Sequence, residues 1–191
     1  HALVLLQTNA VLGMRNNDLY AADLANAGLL RGAGTIRRRS AGTNFTVVNE
    51  GTIRPGDLNS TSSIGTLIFD GGNLVQTSSP TQTVGLCFEI DTNSCDMIMI
   101  TNGTATIGGG GRTNLFAVMA GFSPKPRMDR VWDFIRADTI TYTATDNLSS
   151  LMSAYGLSEP GEYTFGVVNA GSGQVLRLRI KGTDGSMLTL R

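Results

Sequence analysis

The residue types able to do acid–base, nucleophilic or metal chemistry are few in this chain. His1 is the sole histidine, so a Ser-His-Asp or Cys-His arrangement would have to recruit the first residue, and zinc lacks a ligand set. Glu89 and Asp91 are two apart, which on a strand puts both carboxylates on one face. That spacing aligns them without setting the separation that glycoside hydrolysis needs, and a solvated strand face accounts for both. Asp91-Thr-Asn-Ser-Cys-Asp96 gathers oxygen ligands in a tight loop suited at most to weak extracellular calcium binding, without the spacing or glycine of an EF-hand. Arg37-Arg38-Arg39 is the one basic run, and a strand would send Arg37 and Arg39 to one face and Arg38 to the other. It reads either as an anion-binding patch for a sulfate, sialate or anionic lipid, or as a surface run paired with acidic neighbours. No catalytic, cofactor or metal residue is assigned, and enzymatic activity is not expected.

Cys87 and Cys95 flank Phe-Glu-Ile-Asp-Thr-Asn-Ser, in which Asp91-Thr-Asn-Ser94 signals a turn between two strands. A hairpin there brings the cysteines into disulfide range, and closing so short a loop contributes about 2–3 kcal/mol when unstrained. The expectation is a disulfide; the alternative is a pair of reduced, buried cysteines acting as small hydrophobes.

The elements that would position these residues are short β-branched strands. They run through Gly51-Thr-Ile-Arg-Pro-Gly-Asp57, Ile64-Gly-Thr-Leu-Ile-Phe69 and Ile98-Met-Ile-Thr-Asn-Gly-Thr-Ala-Thr-Ile107, with Gly, Asn or Asp wherever the chain must turn. Asn26-Ala-Gly, Asn49-Glu-Gly, Asp70-Gly-Gly and Asn102-Gly recur at intervals of one solenoid coil or more. The spacing suits a parallel β-helix whose stacked rungs share one core and whose turn asparagines ladder between coils. Asn16-Asn-Asp-Leu-Tyr-Ala-Ala-Asp-Leu-Ala25 would allow a helical excursion, but a loop or turn within strand is preferred. From 116 onward the alternation is cleaner: Ile140, Tyr142 and Ala144 oppose Thr139, Thr141 and Thr143, and Leu176, Leu178 and Ile180 oppose Arg177 and Arg179. The expected fold is thus all-β, with solenoid rungs over 1–115 and an antiparallel cap or sandwich-like module over 116–191. One helix is expected over Asn147–Tyr155.

Composition fits that architecture. A chain of 191 residues with 41% hydrophobic content can build a core. Only 16% of residues are charged, 15 basic against 15 acidic, so no overall field draws nucleic acid or an anionic membrane. Twenty-four glycines and lysine only at 125 and 181 suit a secreted β-protein. No signal peptide is visible, and the start at His1 reads as a mature or excised product. His1-Ala2-Leu3-Val4-Leu5-Leu6-Gln7 is too short to span a bilayer. It reads as a first buried strand or, more sharply, as a strand (Ala2 to Leu6) donated to a neighbouring subunit. Asn44, Asn59, Asn102 and Asn147 head glycosylation triplets of the kind that chance supplies in a Thr- and Asn-rich chain.

The order of the motifs resembles the closing turns of secreted bacterial autotransporter passengers and autotransporter-associated β-strand repeat proteins. The pieces carrying the resemblance are Gly51–Asp57, Ile64–Phe69, Cys87–Asp91, Ser94–Ile100, Thr104-Ala-Thr-Ile-Gly-Gly109, Gly121-Phe-Ser-Pro124 and Trp132–Ile140, within roughly residues 26 to 180. Pro124-Lys-Pro-Arg-Met-Asp-Arg130 replaces the family's lighter Gly-Asp, and the two cysteines are unusual for it. The resemblance implies a right-handed parallel β-helix, secreted to the cell surface. Three function classes follow. One is a non-enzymatic extracellular structural protein that self-assembles into a fibre, layer or adhesive stalk, a homo-oligomer or homopolymer that meets a surface glycan or host ligand. The others are a soluble passenger fragment of an autotransporter adhesin, and a carbohydrate-active β-helix acting as lyase or glycoside hydrolase.

Overall fold

Alternation of inward apolar and outward polar side chains organises the described chain: along 45–49 Phe45, Val47 and Asn49 are buried while Thr46 and Val48 are half-buried. The computed structural model describes residues 3–6, 11–21, 23–38, 44–56, 64–76, 85–90, 94–108, 116–120, 129–143 and 163–182. The strands in chain order are β1 (Leu3–Leu6), β2 (Val11–Ala21), β3 (Asp23–Asn26), β4 (Leu29–Arg38), β5 (Phe45–Asn49), β6 (Thr52–Pro55), β7 (Thr66–Asp70) and β8 (Gly72–Gln76). They continue as β9 (Leu86–Ile90), β10 (Met97–Thr101), β11 (Thr104–Ile107), β12 (Phe116–Ala120), β13 (Arg130–Ala137), β14 (Thr139–Tyr142), β15 (Tyr163–Ala170) and β16 (Gly173–Ile180). No helix occurs among the described residues. The region 16–21, where the sequence allows a helical excursion, is strand within β2, whose register shifts between Arg15 and Asn17. The helix expected over Asn147–Tyr155 lies outside the described residues.

Two sheets share one core and curl together into a half-barrel. The first is entirely parallel, in the order β1-β3-β5-β8-β11-β14. The second runs β12-β9-β6-β4-β7-β10-β13-β16-β15, with β2 also on β4. Chain order and ladder order coincide in the first sheet, so the chain returns to the same face again and again. The returns lengthen: Asn26 meets Asn49 23 residues on, Asn49 meets Gln76 27 on, and Asn73 meets Thr104 31 on.

Strand β4 divides the second sheet. Its first half, Leu29–Gly32, pairs with β6, and Gly34–Arg37 pairs with β7. Between them Gly32 and Gly34 adopt φ of 109° and 145°, a left-handed conformation that only glycine takes without strain. One long strand thereby serves two shorter strands of the following return.

Packing across the two sheets supplies the stability. Leu24, Val47, Leu74, Ala105 and Ile140 line the core from the first sheet, and Leu30, Ile36, Ile53, Leu67, Phe69 and Ile98 meet them from the second. Burying each of the larger side chains stabilises the fold by roughly 1.5–3 kcal/mol. A register shift between Asp133 and Ile135 of β13 breaks the alternation, so that both Phe134 and Ile135 are buried. Phe134 then stacks on Phe88 with centroids 4.8 Å apart and lies 6.2 Å from Phe165, which meets Tyr142 edge-on at 5.8 Å. This aromatic chain fastens the terminal hairpin to the parallel strands.

Through the core runs a polar seam. Asn26, Asn49 and Gln76 are all at most 2% exposed and occupy equivalent ladder positions on β3, β5 and β8. Asn26 Nδ2 donates to Asn49 Oδ1 (2.6 Å), and Asn49 Nδ2 donates to Gln76 Oε1 (2.5 Å). The same amides close the corners: Asn26 Nδ2 donates to Thr52 O, Gly28 N donates to Asn26 Oδ1, and Asn49 Nδ2 reaches Gly51 O and Gly85 O. Stacked turn asparagines are thus present at Asn26 and Asn49, with Gln76 as their third member.

From 116 onward the described strands pair both ways: β12 lies parallel to β9, β13 to β10 at Ile135 and Arg136, and β14 to β11, while β16 runs antiparallel along β13 and β15 antiparallel along β16. The alternation at 139–142 signals one solvated face, which a parallel strand of an outer layer shows as readily as an antiparallel one.

Replacing Asn49 by alanine removes its bonds to Asn26, Gln76 and the carbonyls of Gly51 and Gly85, with an expected cost of about 2–4 kcal/mol in urea denaturation; a change under about 0.5 kcal/mol would show that the seam contributes nothing. Gly103→Ala places a Cβ 1.7 Å from the carbonyl oxygen of Gly72 on the neighbouring return, and the expected outcome is loss of cooperative folding.

Candidate functional site

Charged groups gather where β6, β9 and the approach to β10 meet. Arg54 lies on the outward face of β6 between buried Ile53 and Pro55, and its guanidinium Nη2 pairs with Glu89 Oε1 on β9. Glu89 is 5% exposed, and its other oxygen, Oε2, is buried without a hydrogen-bond partner. The expectation of a solvated face at Glu89 is therefore overturned: it occupies a strand position flanked by buried Phe88 and Ile90, and the arginine is what makes its charge tolerable there. Asp91 lies outside the described residues.

Asp96 completes the cluster from the segment between Cys95 and β10. It is fully buried, and its two carboxylate oxygens accept from Gly65 N and Glu89 N, each at 2.8 Å. Asp96 N donates in turn to Glu89 O, and Met97 N to Gly65 O. One side chain thus ties three consecutive passages of the chain. Burial, which disfavours the charged form, pushes its carboxyl up to about 7 against the pull of the two amides; the Glu89 charge adds to the rise, and Arg54 opposes it. These oxygens are committed to backbone amides, so Asp96 offers nothing to the calcium site considered for this loop. Among the described residues no group of acids, cysteines and histidine is arranged to hold a metal ion.

Both cysteines are free thiols, and the disulfide expected between them is not formed. Register explains this: the antiparallel bridge sets Cys95 opposite Ile90, not Cys87, and Cys95 Sγ donates to Asp133 O on β13 at 3.3 Å. Burial raises the Cys87 thiol above its ordinary value, with Arg54 opposing and Asp96 and Glu89 reinforcing, which keeps it protonated and weakly nucleophilic at neutral pH.

The basic run resolves in part. Arg37 Nη1 binds Asp70 Oδ2 at 2.7 Å, and Thr101 Oγ1 donates to Asp70 Oδ1, a row across β4, β7 and β10. Arg37 is thus paired with an acidic neighbour; the Arg38 side chain and Arg39 lie outside the described residues. Of the N-terminal segment, Leu3, Val4, Leu5 and Leu6 form β1, in parallel register with Asp23–Asn26 at the edge of the chain's own sheet, while His1 and Ala2 lie outside the described residues.

A second surface feature is an open groove of about 390 Å³ beside Val131, Thr164, Gly166, Val168, Arg177 and Arg179. Arg177 is clamped by Asp133 through Nε (2.6 Å) and Nη2 (2.9 Å), and Arg179 pairs with Asp129. Both arginines are satisfied within the sheet.

Sequence reasoning missed the Arg54–Glu89–Asp96 grouping. The available signal was an acid flanked by Phe88 and Ile90 in an apolar strand, with an arginine at a comparable place on the preceding return. No helix among the described residues is long and apolar enough to cross a membrane. No protein-family model, curated protein or solved structure matches the chain.

Because the folded carboxyl of Asp96 titrates near 7 and an unfolded one near 3.9, its stabilising contribution is complete below about pH 4 and is lost as pH rises through about 7. Asp96→Asn should remove that component, so the stability difference between wild type and variant should drift by roughly 2–4 kcal/mol from pH 4 to 8. Parallel denaturation curves across that range would exclude a buried, protonated Asp96.

Proposed function

We propose that the chain is a right-handed parallel β-helix closed by a short antiparallel hairpin, and that it serves as a non-enzymatic extracellular structural protein, packing with copies of itself into a fibre, a layer or an adhesive stalk. The observation that carries this reading is the pair of parallel ladders. Both begin on a strand with one described neighbour, β1 on β3 and β2 on β4. Such an edge is a template for a further parallel strand. The resemblance to autotransporter passengers and their β-strand repeat relatives supports the same reading, since in that architecture each return is completed by the next. Polar groups within the fold also favour it: Arg37, Arg54, Arg177 and Arg179 are each engaged by an acid of the same chain, as suits a scaffold.

The same edge supports a second reading, in which upstream coils of a longer autotransporter passenger occupy it. Electron microscopy with light scattering on the purified chain separates the two. Regular fibres or sheets are expected for the self-assembling protein, and uniform particles near 20 kDa would favour the passenger fragment. Deleting Ala2 to Leu6 should abolish end-to-end assembly and leave a folded monomer; assembly that survives the deletion would sink the role of the β1 edge.

A further inference from the structure

The last strand of the second sheet breaks the usual protection of sheet edges. β15 is eight residues long, and β16 is its one strand partner among the described residues. Its sequence, Tyr163-Thr-Phe-Gly-Val-Val-Asn-Ala170, has no charge and no proline, and it is rich in aromatic and β-branched residues. Exposed edges are normally blunted by lysine, proline or an inward charge, and a strand of this length that carries none of these, and has no second strand beside it among the described residues, invites another strand. Asp129, Asp133, Arg177 and Arg179 sit on or beside β13 and β16 and pair with each other. They leave β15 neutral.

We infer that β15 pairs antiparallel with β15 of a second copy about a two-fold axis at Gly166, joining two sheets into one. Self-pairing is favoured because the strand is complementary to itself in this register. Thr164 and Val168 are exposed, whereas Phe165 and Val167 pack toward the core. A two-fold axis perpendicular to the sheet keeps each face on its own side. It sets Phe165 opposite the second copy's Val167, an aromatic and β-branched pair over the core, and Thr164 opposite the second copy's Val168 on the solvent face. Gly166 meets its own copy, and the sheet face above it is open, a Cβ built there having no atom within 4 Å, so no side chain crowds the two-fold axis. No like charges face each other anywhere in the pairing. Because β15 is an antiparallel edge at the opposite end of the chain from β1, this contact is distinct from the end-to-end assembly proposed above.

The register gives a charge-swap test on two exposed positions outside the core. Wild type should sediment as a dimer. The double variant T164K/V168K sets lysine against lysine twice, and its dimer should be weaker by about tenfold or more. T164E/V168K instead sets glutamate against lysine twice and should restore the dimer, with circular dichroism confirming an unchanged fold in each. A wild type that stays monomeric over the whole concentration range, or a T164K/V168K dimer as tight as wild type, would overturn the pairing. Fibres unaffected by either double variant would do the same while leaving the structural role intact. Dimers that obey the charge swap but never grow into fibres would uphold the pairing and refute the self-assembling scaffold.

Discussion

Amides hidden from water hold the parallel returns in register. Asn26, Asn49 and Gln76 would each cost free energy if buried without partners, and the amide-to-amide bonds among them form when each stands directly beside its neighbour one return away. A parallel ladder packed by Leu, Val and Ile alone could slide by two residues and still bury apolar side chains, because the alternation has a period of two. The amide seam removes that freedom. Corner contacts to Gly28, Thr52, Gly51 and Gly85 extend the same constraint from one sheet to the turns that lead into the other.

Much of the architecture was legible because one-sided strands write alternation into the sequence. Leu176, Leu178 and Ile180 against Arg177 and Arg179 reads directly as the buried and outer faces of β16, and Asn before Gly at the corners marks the stacked turns. Pairing direction was less accessible. Residues 130–142 alternate alike in both strands, yet β13 runs antiparallel along β16 and touches β10 in parallel only at Ile135 and Arg136, while β14 is parallel to β11, since alternation reports one wet face and not the neighbour's polarity. Two register shifts also escaped notice, between Arg15 and Asn17 and between Asp133 and Ile135, because a one-residue phase change looks in sequence like noise in the pattern.

The charged cluster was hidden for a different reason. Arg54, Glu89 and Asp96 are brought together by stacking of successive returns, so no local motif joins them. Cys87 and Cys95 looked like hairpin partners from their spacing, but what decides a disulfide is which residues face each other, and the bridge at Ile90 and Cys95 shifts the pair out of alignment. Asp96 occupies the place where a loop ligand was expected and acts inward, as a clamp on backbone amides.

The unequal lengths of the returns, 23, then 27, then 31 residues, give the chain an address system. In an array of identical repeats any unit can stand in for any other, which permits slipped or swapped assemblies that bury nearly the same area. Here each return carries a connection of its own size, so a strand that docks one level too early arrives with the wrong amount of chain to reach the next corner. The growing connections therefore act as a vernier that tells each level from its neighbours, a safeguard that identical coils would lack.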